Sequence, residues 1–460
     1  MFVEGNAARE GLNGILPEIF PQQSVRHLSG DGLKQQLRAL ALRQECFVAA
    51  SVIDWSVFLT DLELMTLMYD LLRTDAQLSL VMPVYEDSQH YRHAGAHGCI
   101  RGNLHHLLQA AGFVLKECEM LRLPDCPDDA PLPWELWRLQ KQQHQRWRVA
   151  DAGLSAAGQV EELFEQVFAL PMKRMLRQWK YGDGRGQGVV VYQGQEIIGH
   201  YGGLRRDVLL HGQPETVMFM ADVMVHLEGR RTLTRKGPFF LMASIAIEQF
   251  MQKASFSAGF PNNRAMRLGE KLGLYDKVGR MAAIYWTAKN RLPNLNERVR
   301  TLDFPVGAEL IDRAWQVMRQ GLKDYVAGVR NYEYVRHRYL THPEKQYQLF
   351  AVTRRFSGRL LGVFVIGDCG NGVFELLDLI GDMAYFPVMV AQACRVTARL
   401  GGGELFCWVC DHMVPLLNAH NQGRVDMLDV DIPVNTVARA LDKALVQDQW
   451  WLMGGDTDDH

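Results

Sequence analysis

The segment from Met224 to Phe240 reads MVHLEGRRTLTRKGPFF and changes character twice. An apolar run ends near His226, a loop with four positive charges follows, and a second apolar stretch begins at Pro238. Pro238 suits the first position of a helix, where a missing amide hydrogen costs nothing. The free amides and positive end of a helix attract anions, and nearby cations strengthen that attraction. The segment therefore predicts a strand, a phosphate-binding loop and a helix, with a solvated basic loop as the alternative.

Alternating strand and helix patterns surround this segment. Apolar runs of strand length and stretches of helical spacing follow one another on both sides. Before the loop, a hairpin and a strand are predicted at 188–192, 196–200 and 216–226. After it, the pattern predicts a helix at 238–253, a strand at 255–260, and a helix at 262–272 that Gly273 closes.

The order of elements from Trp147 to Thr287 resembles the GNAT family of acyl-CoA-dependent acetyltransferases. The strand that ends at Asp222–His226 is similar to the family's fourth strand, and Arg230 falls on the first residue of its Arg/Gln-x-x-Gly-x-Gly/Ala loop. Leu233 and Arg235 stand where the family has glycines. The resemblance implies that backbone amides of the loop bind the CoA pyrophosphate. The cofactor-binding residues that it implies are Met224, Val225, Arg230, Arg231, Thr232, Leu233, Thr234, Arg235, Lys236, Gly237 and Asn262.

A second motif carries the same resemblance. Residues 259–274, GFPNNRAMRLGEKLGL, are similar to the family's Asn-x-x-Ala-x-x-Leu-Tyr-x-x-Leu-Gly-Phe segment. Asn262 matches an asparagine that lies near CoA in the family. Gly269 stands where many members have a tyrosine that protonates the leaving thiolate, and Tyr275 is the nearest replacement. A helix closed by a glycine, with no ligand, is the alternative interpretation.

Acyl transfer to an ammonium group needs a base for the acceptor and an acid for the thiolate. Asp222 is the candidate base, because a carboxylate within a mostly apolar strand is costly unless it is paired or functional. A structural hydrogen bond is the alternative role for Asp222. Tyr275 is the candidate acid.

Residues 303–460 resemble a second, diverged GNAT-like copy. Tyr339–Pro343 echoes Trp179–Tyr181, and Trp451–Asp458 is similar to the tail of tandem GNAT proteins. Ile380–Phe386 takes the place of the basic loop and contains no Lys or Arg. We therefore expect this copy to be non-catalytic and to close the acceptor cleft.

The N-terminal segment resembles the C-terminal half of a class I SAM-dependent methyltransferase, through Cys46–Ile53, Leu78–Val84 and Ile100–Phe113. The glycine-rich turn that holds SAM is absent, so we expect no methyl transfer.

The sequence also leads us to expect no bound metal. The histidines at 90, 93 and 97 lack carboxylate or cysteine partners at ligand spacing. Cys407 and Cys410 fall on opposite faces of a predicted strand.

Composition sets the class of protein. A net charge of -2 argues against a dedicated nucleic-acid binder, and eight cysteines in 460 residues are too few for a disulfide scaffold. No apolar run reaches the length of a membrane span, and the N-terminus lacks the features of a secretory signal. We expect a cytoplasmic α/β chain in three domains: a truncated Rossmann-like, methyltransferase-like module at 1–125, a mixed-sheet GNAT domain at 134–296, and a degenerate GNAT copy at 303–460.

The function expected from the sequence is transfer of an acyl group from acyl-CoA. Acetyl-CoA is the expected co-substrate, and the acceptor is an amine or hydroxyl of a small molecule or a protein. The sequence does not identify the acceptor or the oligomeric state. The alternative is a catalytically inactive acyl-CoA sensor or scaffold, which Gly269 and the missing loop glycines favour.

Overall fold

A computed structural model gives the fold of the chain. It describes residues 2–4, 27–29, 33–43, 47–53, 62–85, 99–121, 134–142, 145–153, 156–227, 229–231, 234–235, 237–251, 253–289, 296–435 and 441–457. These residues form two compact units. Unit 1 contains residues 1–170, 188–201 and 224–249, and unit 2 contains 171–187, 202–223 and 250–460.

The N-terminal part of unit 1 is a mixed sheet with helices. Its elements are β1 (Phe2–Glu4), β2 (His27–Ser29), α1 (Leu33–Leu42), β3 (Phe47–Ile53), α2 (Leu62–Leu71), β4 (Leu72–Tyr85), β5 (Cys99–Ile100), α3 (Arg101–Ala111), β6 (Phe113–Leu121) and β7 (Trp134–Lys141). The strand order is β2-β1-β3-β4-β7-β6, and β5 pairs with β4. The first four strands run parallel, whereas β7 is antiparallel to both β4 and β6.

The rest of the chain to residue 287 alternates strands and helices in both units. The elements are β8 (Arg148–Asp151), α4 (Ala157–Phe168), α5 (Arg174–Tyr181), β9 (Gly186–Gln193), β10 (Glu196–Leu210), β11 (Gln213–Val225), α6 (Pro238–Phe250), β12 (Phe256–Ala258), α7 (Asn263–Leu272) and β13 (Tyr275–Thr287). In unit 1, β8 pairs with β9 and β9 with β10. In unit 2, β11 pairs with β12 in parallel.

The C-terminal part of unit 2 is built around a seven-stranded sheet. Its elements are β14 (Glu297–Thr301), α8 (Val306–Gln320), β15 (Val326–Gly328), α9 (Tyr332–Val335), β16 (Tyr347–Arg354), β17 (Leu360–Asp368), β18 (Val373–Gly381), α10 (Phe386–Arg399), β19 (Glu404–Cys410), α11 (Val414–Leu417), β20 (Arg424–Asn435) and β21 (Trp450–Trp451). The sheet order is β14-β16-β17-β18-β19-β13-β20. A second sheet joins β12, β11, β10, β15 and β21 in that order.

The expected mixed α/β class is confirmed, because the described chain contains several mixed sheets with helices between their strands. The finer borders between the three expected domains stay predictions. Two strands pair across the expected borders. Strand β7 follows the border near 125–134 and pairs with β4 and β6, which precede it. β13, before the border at 296–303, lies between β19 and β20.

Among the described residues, no helix is long and apolar enough to cross a membrane. The buried core of unit 2 is large and continuous through the C-terminal sheet, from Val208 to Met453. A smaller core in unit 1 lies under α4 and contains Val160, Leu163 and Met224.

Candidate functional site

The strand and helix on either side of the basic loop lie where the sequence predicts them. β11 ends at Val225, and α6 begins at Pro238. Met224 is buried in the small core of unit 1, so its side chain is a packing group. The exposed Arg230 turns back on the strand, and its Nε donates a 2.7 Å hydrogen bond to the backbone oxygen of Val225.

Several loop amides are already engaged inside unit 1. The amides of Gly229 and Arg230 donate to the backbone oxygen of His226, at 2.9 and 3.2 Å, in a short 3₁₀ turn. The amide of Gly237 donates to the oxygen of Thr234 at 2.8 Å, and the oxygen of Gly237 accepts from Leu241 at 3.1 Å. The helix start therefore offers an anion the amides of its next two residues, Phe239 and Phe240, which have no intrahelical acceptor.

Part of the expected cofactor loop lies outside the described residues. This applies to Thr232, Leu233 and Lys236, and to the side chain of Arg231. The expected loop histidines at 90, 93 and 97 also lie outside them. Arg235 is described and exposed, and its guanidinium lies 6.0 Å from the centre of the Phe240 ring.

Asp222, the candidate base, is a buried and paired carboxylate in unit 2. Its Oδ1 lies 3.0 Å from Nζ of Lys180, and the hydroxyl of Tyr181 donates a 2.6 Å hydrogen bond to Oδ2. The side chains of Lys180 and Asp222 are only 6% and 3% exposed. In this arrangement a cation and a hydrogen-bond donor take the place of the water that burial removes from the carboxylate.

The backbone at Asp222 is left-handed, with φ +49°. Such a conformation within a strand is uncommon for a residue other than glycine, and aspartate tolerates it better than most. The position of Asp222 relative to the sheet is also unusual. The parallel pairing of β11 with β12 covers Val217 to Phe219, opposite Phe256 to Ala258. Asp222 thus lies three residues beyond the last pair. Irregular strand residues of this kind re-aim side chains and are common beside active sites.

The C-terminal part of unit 2 contains a similar aspartate, without the left-handed backbone of Asp222. β18 pairs in parallel with β19 over three residues, from Val373 to Glu375. Asp378 lies three residues beyond the last pair and is fully buried. The hydroxyl of Tyr339 donates a 3.0 Å hydrogen bond to Oδ2 of Asp378, as Tyr181 does to Asp222. The cation that pairs with Asp378 is Arg330, at 2.7 Å.

This repetition bears on the role of Asp222. The sequence predicts no catalysis in the C-terminal copy, yet that copy keeps a tyrosine–aspartate pair at the matching position. A feature present in both copies favours a structural role, in which the pair fastens the preceding helical turn to the strand. The catalytic role of Asp222 stays a prediction.

Tyr275, the candidate acid, is the first residue of β13 and is buried. Its ring lies over Gly269, so that a Cβ added to Gly269 would overlap the ring at Cδ2 and Cε2. Glycine within a helix costs about 1 kcal/mol relative to alanine, and here it makes room for an aromatic side chain. The ring of Tyr275 therefore fills the space that a side chain at position 269 would need. The role of Tyr275 as proton donor stays a prediction.

Asn262 caps helix α7. Its Oδ1 accepts a 2.9 Å hydrogen bond from the amide of Ala265, and Gly273 closes the other end in the left-handed region with φ +74°. Both features satisfy backbone groups at the helix ends and require no ligand. A contact between Asn262 and CoA stays a prediction, and the side-chain Nδ2 is the group that could make it.

Sequence reasoning missed the partners of the two aspartates. Lys180, Tyr181 and Arg330 were not selected as site residues, although Trp179–Tyr181 and Tyr339–Pro343 were recognised as matching segments. Each segment contains the tyrosine that bonds to an aspartate, and this is the signal that the sequence offers. Arg330 lies outside both segments and carries no such signal.

A buried ionic network holds the C-terminal tail. Arg330 is fully buried between Asp378 and Asp456, with its Nη2 2.5 Å from Oδ2 of Asp456. Arg206 reaches Oδ1 of Asp456 at 3.2 Å. Arg338 donates to the backbone oxygens of Gly455 and Thr457, at 2.7 and 3.0 Å. These bonds tie residues 455–457, which are buried, to the rest of unit 2.

Burial shifts the pKa of three further groups in unit 2. It raises the pKa of Glu375 to about 7, against the opposing charges of Lys345 and Arg338. Burial, together with the charges of neighbouring cations, lowers the pKa values of His337 and His342 to about 4. The two imidazole rings pack against Trp179, with ring centres 4.8 and 4.5 Å from it.

No protein-family model matches the chain, and no curated protein matches it in sequence. Several solved structures resemble it in part. A GCN5-related N-acetyltransferase from Anabaena variabilis is 12% identical, with a TM-score of 0.49 over 64% of this chain and 73% of that one. A probable N-acyltransferase from Enterococcus faecalis is also 12% identical, with a TM-score of 0.48 over 63% and 72%.

A tandem GNAT protein from the clavulanic acid biosynthesis pathway is 10% identical, with a TM-score of 0.42 over 64% of this chain and 100% of that one. At this degree of similarity we draw no functional conclusion from any of the three.

Proposed function

We propose that the chain is an acyl-CoA-dependent acyltransferase of the GNAT type. The proposal rests mainly on the course of strand β11 and of the chain that follows it. This strand outruns its parallel partner β12, turns left-handed at Asp222 and continues through a basic loop into the first turn of α6. A strand, a cationic loop and a helix start in this order suit a phosphate-bearing ligand.

The proposed ligand of the loop is the diphosphate of acyl-CoA. Arg230, Arg231, Arg235 and Lys236 supply positive charge, and the amides of Phe239 and Phe240 add donors at the helix start. Hydrogen bonds to charged groups are the stronger kind, which compensates for the missing loop glycines. Because the Met224 side chain packs in the core, Met224 and Val225 would contact the cofactor through their backbone.

The proposed reaction is direct transfer. The acceptor nitrogen or oxygen attacks the thioester carbonyl carbon, the carbon–sulfur bond breaks, and CoA leaves as a thiolate that takes up a proton. Tyr275 is the proposed proton donor, because its ring occupies the space over Gly269. Asp222 is the candidate acceptor of the proton from the incoming amine, and its pairing with Lys180 and Tyr181 gives it the alternative positioning role.

Acetyl is the proposed acyl group, and the acceptor is an amine or hydroxyl of a small molecule or a protein in the cytoplasm. The test is release of free CoA thiol from acetyl-CoA across a panel of primary amines and hydroxyl compounds. Acceptor-dependent thiol release that follows saturation kinetics supports the enzyme.

A second candidate function is an acyl-CoA-binding sensor. The pairing of both Asp222 oxygens favours it, since each oxygen already has a partner within the fold. Tight binding of acetyl-CoA without thiol release on any acceptor would favour the sensor over the enzyme.

A further inference from the structure

Three potential metal ligands come together in unit 2, away from the elements discussed above. Asp411 and His412 lie in the 3₁₀ turn that follows β19, and Asp448 precedes β21. One ligand atom from each of the three residues lies within 4.8 Å of the others. We propose that Asp411, His412 and Asp448 bind a divalent transition-metal ion, with zinc as the first candidate.

The surroundings of the His412 imidazole indicate a bound ligand. Both of its ring nitrogens are shielded from solvent, and neither has a hydrogen-bond partner among the described residues. Buried polar atoms almost always have a partner, and an exception calls for an ion or a water. The nearest carboxylate atom, Oδ1 of Asp411, lies 3.8 Å from Nδ1, which is too far for a hydrogen bond.

The spacing suits a metal ion. Zinc binds histidine nitrogen and carboxylate oxygen at about 2.0–2.2 Å. Two such bonds span a separation of 3.8 Å, so one ion can contact both atoms. The side chains of His412 and Asp411 are 23% and 34% exposed, and Asp448 lies at the surface, so an ion can reach the cluster.

The ligand set also indicates the kind of ion. Two carboxylates and one neutral imidazole balance the charge of a divalent cation. Calcium and magnesium prefer oxygen ligands alone, whereas imidazole suits zinc and its neighbours. Each carboxylate already accepts one hydrogen bond: Asp411 Oδ1 from the His412 amide at 2.8 Å, and Asp448 Oδ2 from Gln447 Nε2 at 2.9 Å. A carboxylate has further lone pairs, so both can still bind an ion.

The ion would fasten the last segment of the chain to the end of β19. Asp448 begins the stretch that continues through Trp450 and Trp451 to Asp456, which is bound to Arg330. A metal that binds only the folded chain stabilises it by mass action. The expected role is therefore structural and independent of acyl transfer.

The test uses the full chain, treated with a chelator and then titrated with ZnCl₂. Bound zinc is counted by elemental mass spectrometry after gel filtration, and the thermal midpoint is followed in parallel. Asp448→Asn changes a surface side chain and keeps its shape, and His412→Gln removes the imidazole. His420→Gln is the matched control, because His420 is exposed and in the same part of the chain.

We expect one zinc per chain and a raised thermal midpoint for the wild type and His420→Gln. Asp448→Asn and His412→Gln should bind zinc at least about tenfold more weakly, since even residues that only support a ligand cost 10–100-fold. Zinc uptake that is absent in the wild type, or equal in all four proteins, would overturn the proposal. Equal uptake would mean adventitious binding at the surface.

Discussion

The phenol of Tyr181 lies 2.6 Å from Oδ2 of Asp222, and it donates its hydrogen to a carboxylate that is already paired with Lys180. The same geometry recurs between Tyr339 and Asp378, with Arg330 as the cation. The chain thus contains two tyrosine–aspartate pairs, and each aspartate lies three residues beyond the end of a short parallel ladder. The second pair provides a matched control for the candidate base.

Asp222→Asn and Asp378→Asn should both lower stability. Each change leaves a buried cation opposite a neutral amide, and breaking a buried ion pair costs about 3–5 kcal/mol. Thermal unfolding of both variants beside the wild type measures the effect. A variant as stable as the wild type would show that the buried pair contributes little.

Turnover separates the two roles of Asp222. If Asp222 is the base, Asp222→Asn should lower kcat per folded molecule by about 10²–10⁴-fold. Its affinity for acetyl-CoA should stay the same as that of the wild type. Asp378→Asn should leave kcat per folded molecule unchanged. Wild-type turnover in folded Asp222→Asn would remove Asp222 from catalysis and leave it as a positioning residue.

Gly269→Ala should destabilise the chain, because the new methyl group meets the ring of Tyr275. Overpacking of this kind costs about 1–3 kcal/mol. Gly158→Ala is the control: Gly158 lies in helix α4 with open space around it, and alanine there should stabilise slightly. Denaturant melts compare the two variants, and equal effects would contradict the packing of Tyr275 on Gly269.

Tyr275→Phe should lower kcat if Tyr275 protonates the thiolate, since the ring is kept and only the hydroxyl is lost. Tyr285→Phe, on the same strand β13, is the control and should behave as the wild type. Steady-state thiol release with a reactive acceptor measures both. Full activity in Tyr275→Phe would assign proton donation to solvent or to another group.

Stability should fall as pH rises from about 5 to about 8 because of Glu375. Burial raises its pKa from 4.5 to about 7 in the folded chain. The folded state therefore binds the proton more tightly than the unfolded state, and that advantage disappears as pH passes 7. Glu375→Gln should be more stable than the wild type at pH 8, and the difference should shrink near pH 5. A difference that does not change with pH would contradict this.

Much of the fold could be predicted from local patterns. The helices at 62–71, 157–168 and 263–272 follow apolar spacing and, in the last case, Asn262 and Gly273 at the ends. The hairpin of β9 and β10 follows from two apolar runs around Gln193–Gln195. The helix start at Pro238 follows from the sequence change at the basic loop.

Other features depend on distant pairing. The sequence does not predict β20, because Asp426, Asp429, Asp431 and Pro433 disfavour a strand. The strand lies at the edge of its sheet, where proline is tolerated. The place of β13 between β19 and β20 depends on residues more than a hundred positions away. The ring of Tyr275 over Gly269 is a contact between a helix and the following strand that residue spacing alone does not reveal.

Binding of acetyl-CoA at the basic loop is the most direct test of the account. Calorimetry should show one acetyl-CoA per chain in the wild type. Charge-assisted contacts contribute about 1.5–3 kcal/mol each, so Arg230→Ala/Arg231→Ala should weaken binding at least about tenfold at fixed salt. Arg298→Ala/Arg300→Ala, which removes the same charge from exposed side chains of β14, should bind as the wild type does. No binding by the wild type, or equal affinity in the two double variants, would contradict the account.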